Sequence, residues 1–318
     1  MHYDIFNGDA DGIFALHQYR LENPLPHARL VTGVKRDIQL LERVRDVCNC
    51  NLAVFDISLD SNRGALLQLL QHGNTISYFD HHYAGDLPVT PALSAHIDAS
   101  PGICTSLIVN GQLSGRSVLW AACGAFGDNL HRQATELAKS RNLSAPDILR
   151  LQELGELFNY NGYGYCLDDL HYHPQRLYQA IQQFANPFDF IDTSTELVTL
   201  RTGYHEDIAL ARQLPELKTS GKNRIYRLPD APWARRVVGV FSNLRAKEQP
   251  DSAHAVVTEN SDGTLRVSVR APLANQRHAD RLCRLFPTGG GRAAAAGINS
   301  LPTEMLDRFI DTFQSFYT

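Results

Sequence analysis

Tyr3-Asp4-Ile5-Phe6-Asn7-Gly8-Asp9-Ala10-Asp11-Gly12 opens the chain with a short apolar run that stops in a glycine-bracketed pair of acids. Helical periodicity follows at once, over Gly12–Arg20. A strand that hands directly to a helix is the first half of a β-α unit. The pattern then recurs. Arg29–Val34 reads as a strand and Ile38–Val47 as a helix. Leu52–Phe55 reads as a strand and Arg63–His72 as a helix. Thr75–Phe79 and Ala95–Ile97 read as further strands. Such units predict an α/β fold, a parallel sheet with helices on both faces.

Beyond Cys104 the pattern turns helical, with apolar residues at helical spacing in Ser117–Phe126, His131–Arg141 and Asp147–Phe158. The last 85 or so residues change character again. Arg236–Phe241, His254–Thr258 and Leu265–Arg270 are β-branched runs, and Asp262-Gly263 between the last two is a hairpin signal. A helix near Gln276–Phe286, a glycine cluster and a helix near Met305–Phe316 complete a smaller α+β unit. The expected organisation is a first domain over 1–190, a connector carrying a helix over 191–232, and a second domain over 233–318.

The length of 318 residues fits about two domains. No apolar run reaches the roughly 20 residues of a membrane span. The first residues lack a basic stretch followed by a long apolar one, so the expected location is the cytoplasm, with no membrane partner. A net charge of −4 argues against a broad DNA-coating surface but leaves room for a small substrate in a local basic cleft. Six cysteines, with only Cys48 and Cys50 closely spaced, make neither a disulfide scaffold nor a structural zinc site.

The acids carry the functional signal. Asp9 and Asp11 follow the first strand, Asp56 follows Leu52–Phe55, and Asp80-His81-His82 follows Thr75–Phe79. Residues just past the strand ends of an open parallel sheet converge on one crevice. Each cluster alone has a bland reading: a glycine-bracketed turn, a cap, a polar loop. Three of them, each past its own strand, point to bound cations, because converging carboxylates repel unless neutralised. Aspartate with histidine suits Mn2+ better than Ca2+. The number of acids suggests two ions, the arrangement of a phosphoryl-transfer site. Asp128, in Gly127-Asp128-Asn129, alone is an ordinary helix-end acid; beside the others it is a candidate further ligand.

These motifs resemble, in order and spacing, the four motifs of the DHH phosphoesterases: residues 7–12, Phe55-Asp56, Asp80-His81-His82 and Gly127-Asp128-Asn129. Gly289-Gly290-Gly291 followed by Ala295-Ala296-Gly297 resembles the signature of the DHHA1 domain that accompanies one branch. The resemblance spans both expected domains and implies an N-terminal parallel-sheet DHH domain with a C-terminal α+β domain of DHHA1 type. The family includes RecJ-type exonucleases, oligoribonucleases that also dephosphorylate 3′-phosphoadenosine 5′-phosphate, cyclic-dinucleotide phosphodiesterases and manganese pyrophosphatases. It implies that Asp9 ligates one Mn2+ and Asp11 the other, that Asp56 bridges both, and that His81 and Asp128 complete the coordination of the second ion. His82 would contact the scissile phosphate, and Asp80 would orient the imidazoles.

Three positions depart from the pattern. Many relatives place a histidine where this chain has Ile5, and the exonuclease branch an acid where it has Asn7, so the first ion is expected to be more weakly or differently held. Arg292 stands where the family usually has histidine. A guanidinium keeps a phosphate-binding role through its fork. Arg270, at a predicted strand end, matches an arginine that grips substrate in relatives. Gly289, Gly290, Gly291, Arg292 and Arg270 are therefore the candidate substrate-binding residues.

Thr105 and Ser106, at a predicted helix start, fit either a phosphate site or a plain cap. Tyr160, Tyr163 and Tyr165 fit base stacking or a packed loop. The expected activity is Mn-dependent hydrolysis of short 5′-phosphorylated oligonucleotides by a water activated by two ions, with no obligate protein partner. The alternatives are release of phosphate from 3′-phosphoadenosine 5′-phosphate, opening of a cyclic dinucleotide, and a degenerate module that binds nucleotides without turnover.

Overall fold

The apolar runs of the first hundred residues pair into one parallel sheet. In this computed structural model, which describes residues 1–317, its strands are β1 (His2–Phe6), β2 (Arg29–Val31), β3 (Asn51–Phe55), β4 (Thr75–Asp80) and β5 (Leu93–Ile97). The order is β2-β1-β3-β4-β5, and every pair is parallel. Period-two alternation gives the sheet two buried faces. On one face Tyr3, Ile5, Leu52, Val54, Ile76 and Tyr78 cluster with Ala65, Leu66 and Leu69 of α2 (Arg63–Gln71). The opposite face meets α1 (Ala10–Glu22), whose Tyr19 ring lies 5.4 Å from the rings of both Phe55 and Phe79. Asp4 also points to that side and is neutralised by a bidentate pair with Arg20 of α1. Helices thus cover both faces, as the alternating units require.

The expected helix over Ile38–Val47 is one 3-10 turn, Leu40–Val44. Its apolar residues are buried, but its backbone is satisfied by a neighbour rather than by helix continuation. The buried Asn62 side chain accepts from Leu41 N at 3.2 Å and donates to Ile38 O at 2.5 Å. Helices α3 (Thr105–Gln112), α4 (Val118–Gly127), α5 (His131–Lys139), α6 (Ala145–Gly162), α7 (Pro174–Ile181) and α8 (Pro187–Thr193) follow. Both α4 and α6 pack near α1 and against one another.

The chain divides into two units, Met1–Thr202 and Gly203–Thr318, with the division inside α9 (Thr195–Gln213). The second unit holds a mixed six-stranded sheet of order β10-β11-β9-β8-β7-β6. Its elements are β6 (Glu216–Ser220), β7 (Asn223–Arg227), α10 (Pro232–Glu248), β8 (His254–Glu259), β9 (Leu265–Arg270), α11 (Ala279–Cys283), β10 (Gly289–Gly291), β11 (Ala295–Leu301) and α12 (Leu306–Phe316). Gly263, at φ +80°, turns β8 into antiparallel β9, as Asp262-Gly263 predicts.

Two expectations fail here for physical reasons. The segment 191–232 is not a connector alone, because β6 and β7 extend the second sheet. As an edge strand β6 has Glu216, Leu217, Lys218 and Thr219 exposed, so it shows no alternation to read. Arg236–Phe241 is not a strand but the middle of α10. Ala234, Val237, Val238 and Phe241 recur at helical spacing and are the buried ones, and Pro232 sits in the first turn. Among the described residues no helix is long and apolar enough to cross a membrane.

Phe241 is fully buried and meets the Tyr226 ring edge-on, with centroids 5.3 Å apart. Phe241→Ala is expected to destabilise the chain by about 3–5 kcal/mol. Chemical denaturation would show the loss as a lower midpoint. A midpoint shift worth less than about 1 kcal/mol would mean that α10 does not bury this face.

Candidate metal centre

Each acidic cluster is fixed by a different local device. Asp9 caps α1, its Oδ1 accepting from Gly12 N at 3.1 Å. Asp11 lies in the first turn of α1 and faces the start of α3. Its two carboxylate oxygens accept from Ser106 N and Thr105 N, both at 2.7 Å, so the free amides of α3 hold a carboxylate of the chain itself. Gly124 of α4 permits this approach, since a Cβ there would lie 2.1 Å from Ser106 Oγ. Asp56 leaves β3 in the left-handed region at φ +59°, unusual outside glycine, with its N–H bonded to Phe79 O. Asp80 ends β4. Asp128 closes α4 by a Schellman turn: Leu130 N donates to Ala125 O, Asn129 N donates to Phe126 O, and Asn129 adopts φ +62°.

The side chains converge. His81 Nε2 lies 3.4 Å from Asp56 Oδ1 and 4.0 Å from Asp128 Oδ2. Thr105 Oγ1 donates to Asp56 Oδ1 at 3.2 Å. Asp56, His81 and His82 offer ligand atoms that all lie within 4.8 Å of one another. His82 Nδ1 bonds Asp80 Oδ1 at 2.7 Å, which turns its Nε2 away from Asp80. The other Asp80 oxygen is buried and has no partner in the protein.

Charge crowding perturbs these groups. Burial, then the neighbouring Asp9 and Asp11, push Asp56 well above the usual carboxylate range. Burial and Asp11 push Asp128 up to about 6. Burial disfavours the His81 imidazolium, but the Asp56 bond and the Asp11 and Asp128 charges override it and raise His81 to about 10. The site therefore carries excess negative charge that the protein only partly answers. Two carboxylates and an imidazole at this spacing, with a surplus of charge, are donors of the kind that could hold a divalent cation.

Sequence reasoning missed Lys35 and Asn159. Lys35 Nζ reaches Asp9 Oδ2 at 2.5 Å and Asn159 Oδ1 at 2.9 Å. Burial raises the Asp9 carboxyl, yet the Lys35 charge and bond hold it below its usual value. The signal was available as the one lysine in Val34-Lys35-Arg36, just past a predicted strand end. The tyrosines pack at the end of α6 rather than in a loop, Tyr160 within its last turn and Tyr163 at its cap. Tyr160 is buried and bonds His171, Tyr163 lies against Lys35, and Tyr165 against Arg36.

The substrate-binding candidates lie in the second unit. Gly289, Gly290 and Gly291 form the edge strand β10 opposite Ile298, Gly297 and Ala296. Arg292 and Ala295 close the following turn with reciprocal backbone bonds. Register places Arg270 beside Ala295, so both arginines share one end of the sheet. The Arg270 guanidinium bonds Asn243 Oδ1 at 2.7 Å and Ser268 Oγ at 3.0 Å, while Arg292 is exposed.

No protein-family model matches the sequence, and no curated protein does. Solved structures do. An exonuclease RecJ bound to manganese matches 99% of this chain and 89% of its own, at 15% identity and TM-score 0.61. A DHH domain described as a member of the s1p family of ribosomal proteins matches 99% and 86%, at 12% identity and TM-score 0.61. The pGpG-specific phosphodiesterase PggH from Vibrio cholerae matches 99% and 98%, at 12% identity and TM-score 0.56. The chain thus has the DHH phosphoesterase fold, a parallel-sheet domain followed by a smaller mixed-sheet domain.

The raised Asp128 pKa gives a sign to test. A carboxyl at about 6 in the fold against 3.8 free opposes folding once it ionises, fully above about pH 6 and not at all below about pH 4. In chelator-treated protein Asp128→Asn is expected to raise stability at pH 7.5 by on the order of 1–3 kcal/mol, with the gain vanishing near pH 4. Thermal melts at the two pH values check this. A variant less stable than the parent at pH 7.5 would contradict the crowding described.

Proposed function

We propose that this chain is a divalent-metal phosphodiesterase that uses Mn2+ and hydrolyses short 5′-phosphorylated oligonucleotides. The observation that carries the proposal is the crevice at the strand ends, where Asp56, His81, His82 and Asp128 gather around surplus negative charge. The substrate class draws support from the neighbour named for pGpG, a 5′-phosphorylated dinucleotide, which has almost the length of this chain. The fold's manganese-bound RecJ neighbour supports the ion.

In this reading Asp56, His81 and Asp128 hold the ion. A divalent ion there lowers the pKa of water and withdraws charge from a phosphate. Asp80 has a positioning role, fixing Nδ1 of His82 so that Nε2 is presented to the phosphate. Thr105 holds Asp56 in place through its hydroxyl. Asp11 is held by the amides of α3 and keeps the negative field that favours a cation. In the second unit Arg292 and Arg270, beside the glycine strand, have the forked donors that suit a phosphate.

The test is chromatographic product analysis with Mn2+ and a panel: a 5′-phosphorylated dinucleotide, a long single strand, 3′-phosphoadenosine 5′-phosphate, a cyclic dinucleotide and pyrophosphate. Fastest release of mononucleotides from the dinucleotide is the expected result. Faster turnover of another member replaces the substrate and keeps the chemistry. Bound Mn2+ with no turnover of any member moves the chain to a nucleotide-binding role.

Variants separate the roles. Asp56→Ala is expected to abolish turnover and weaken Mn2+ binding while leaving the circular dichroism unchanged. Full activity would rule out the site assignment. His82→Asn is expected to lower kcat/KM by roughly 100-fold or more with Mn2+ affinity retained. Mn2+ affinity that falls in parallel would instead make His82 an ion ligand.

A further inference from the structure

Asp9 is the acid of the crevice that the protein has already provided with a cation. One carboxylate oxygen accepts from Gly12 N and the other meets Lys35 Nζ at 2.5 Å. The ammonium is gripped on further sides, by Asn159 Oδ1 at 2.9 Å and by the Tyr163 ring, whose centroid lies 5.4 Å away. The backbone that delivers it is pinned as well. Lys35 N donates to Gly162 O at 2.9 Å, and Lys35 O accepts from Asn7 Nδ2 at 3.2 Å.

Asn7 and Ile5, the neighbouring residues at the end of β1, offer no further ligand for a metal. The Asn7 side chain is used at both ends, since its Oδ1 also accepts from Asp9 N at 3.2 Å. Ile5 points into the hydrophobic cluster on the far face of the sheet and is fully buried there. Asp56 is shared, since its side chain also bonds that of Asp9, while the bonds of the Lys35 ammonium go to Asp9 and Asn159 and not to Asp56, His81, His82 or Asp128. A divalent ion on Asp9 would have to sit within a few ångströms of a fixed ammonium, and two cations so close repel strongly where burial weakens screening.

We infer that Lys35 is a tethered cation standing in for one of two divalent ions, so that the crevice binds a single divalent ion per chain, on the Asp56–His81–Asp128 side. The inference rests on the divalent-metal reading above and refines its ion count. Asn7, Asn159 and Tyr163 are then parts of an ammonium socket rather than ligands. The positive charge opposite Asp9 is permanent and survives chelators, whereas the second cation exchanges with solvent.

The test counts ions. Full-length protein, Lys35→Met and Lys35→Arg are dialysed against excess Mn2+, and bound manganese is measured per chain alongside the electron paramagnetic resonance spectrum. Circular dichroism and thermal melts check folding. The expected result is one Mn2+ with the spectrum of an isolated ion in the parent and in Lys35→Arg, and two with an exchange-coupled spectrum in Lys35→Met. Two coupled ions in the parent overturn the inference and leave the metal reading intact. One ion in a folded Lys35→Met also overturns it, because Lys35 then excludes nothing. No bound Mn2+ in the parent overturns the metal reading itself. Should Lys35→Met not fold, the parent's count and spectrum still decide between one ion and two.

Discussion

Asp9, Asp11 and Asp56 are each at most 3% exposed and lie in the same crevice. Three carboxylates cannot be desolvated together in ionised form without compensation, since each raises the others' proton affinity. The surrounding structure divides this load. Asp9 has Lys35. Asp11 has the two amide N–H groups that open α3. Asp56 has the Thr105 hydroxyl and His81, and its carboxyl is still pushed upward. What is left uncompensated lies where Asp56, His81 and Asp128 meet.

The sheet makes this crowding possible and also limits it. Parallel strands end on one edge, so three consecutive strand ends deliver three acidic motifs to one place. Delivery needs backbone that few residues adopt: Asp56 at φ +59° turns its carboxylate inward directly after β3. Strain of this kind costs on the order of 1–3 kcal/mol and persists because the paired strands on either side hold it. Helices α1, α3 and α4 complete the crevice through close approaches at glycine. Gly127 is an example, where a Cβ would lie 2.4 Å from that of Ala10.

Much of this was legible in the chain because apolar runs that end in acids report both a strand and its exit. Tyr3–Phe6, Leu52–Phe55 and Thr75–Phe79 each did so, and Asp9, Asp11, Asp56, His81 and Asp128 do come together. The illegible parts depend on partners far away in sequence. Lys35 acquires its role from Asp9 and from Asn159, 124 residues further on. The amides of Thr105 and Ser106 find Asp11 rather than a bound phosphate, which local sequence cannot distinguish. The strand β6 was hidden because an exposed edge carries no alternation. The run Val237-Val238-Gly239-Val240-Phe241 misled through its β-branched composition, while the buried positions follow the helical period.

A fixed ammonium and an exchangeable divalent ion are not equivalent in chemistry, although both neutralise a carboxylate. The ammonium brings charge and three N–H donors, two of which Asp9 and Asn159 already use. It has no vacant coordination position and cannot lower the pKa of a water as a Lewis acid does. Placing it on Asp9 therefore keeps the charge opposite that carboxylate constant, and in the single-ion reading any activation of a water would fall to the Asp56–His81–Asp128 group. The same division separates stability from activity. In that reading chelation would remove only the exchangeable charge, because Asp9 keeps Lys35 as its partner.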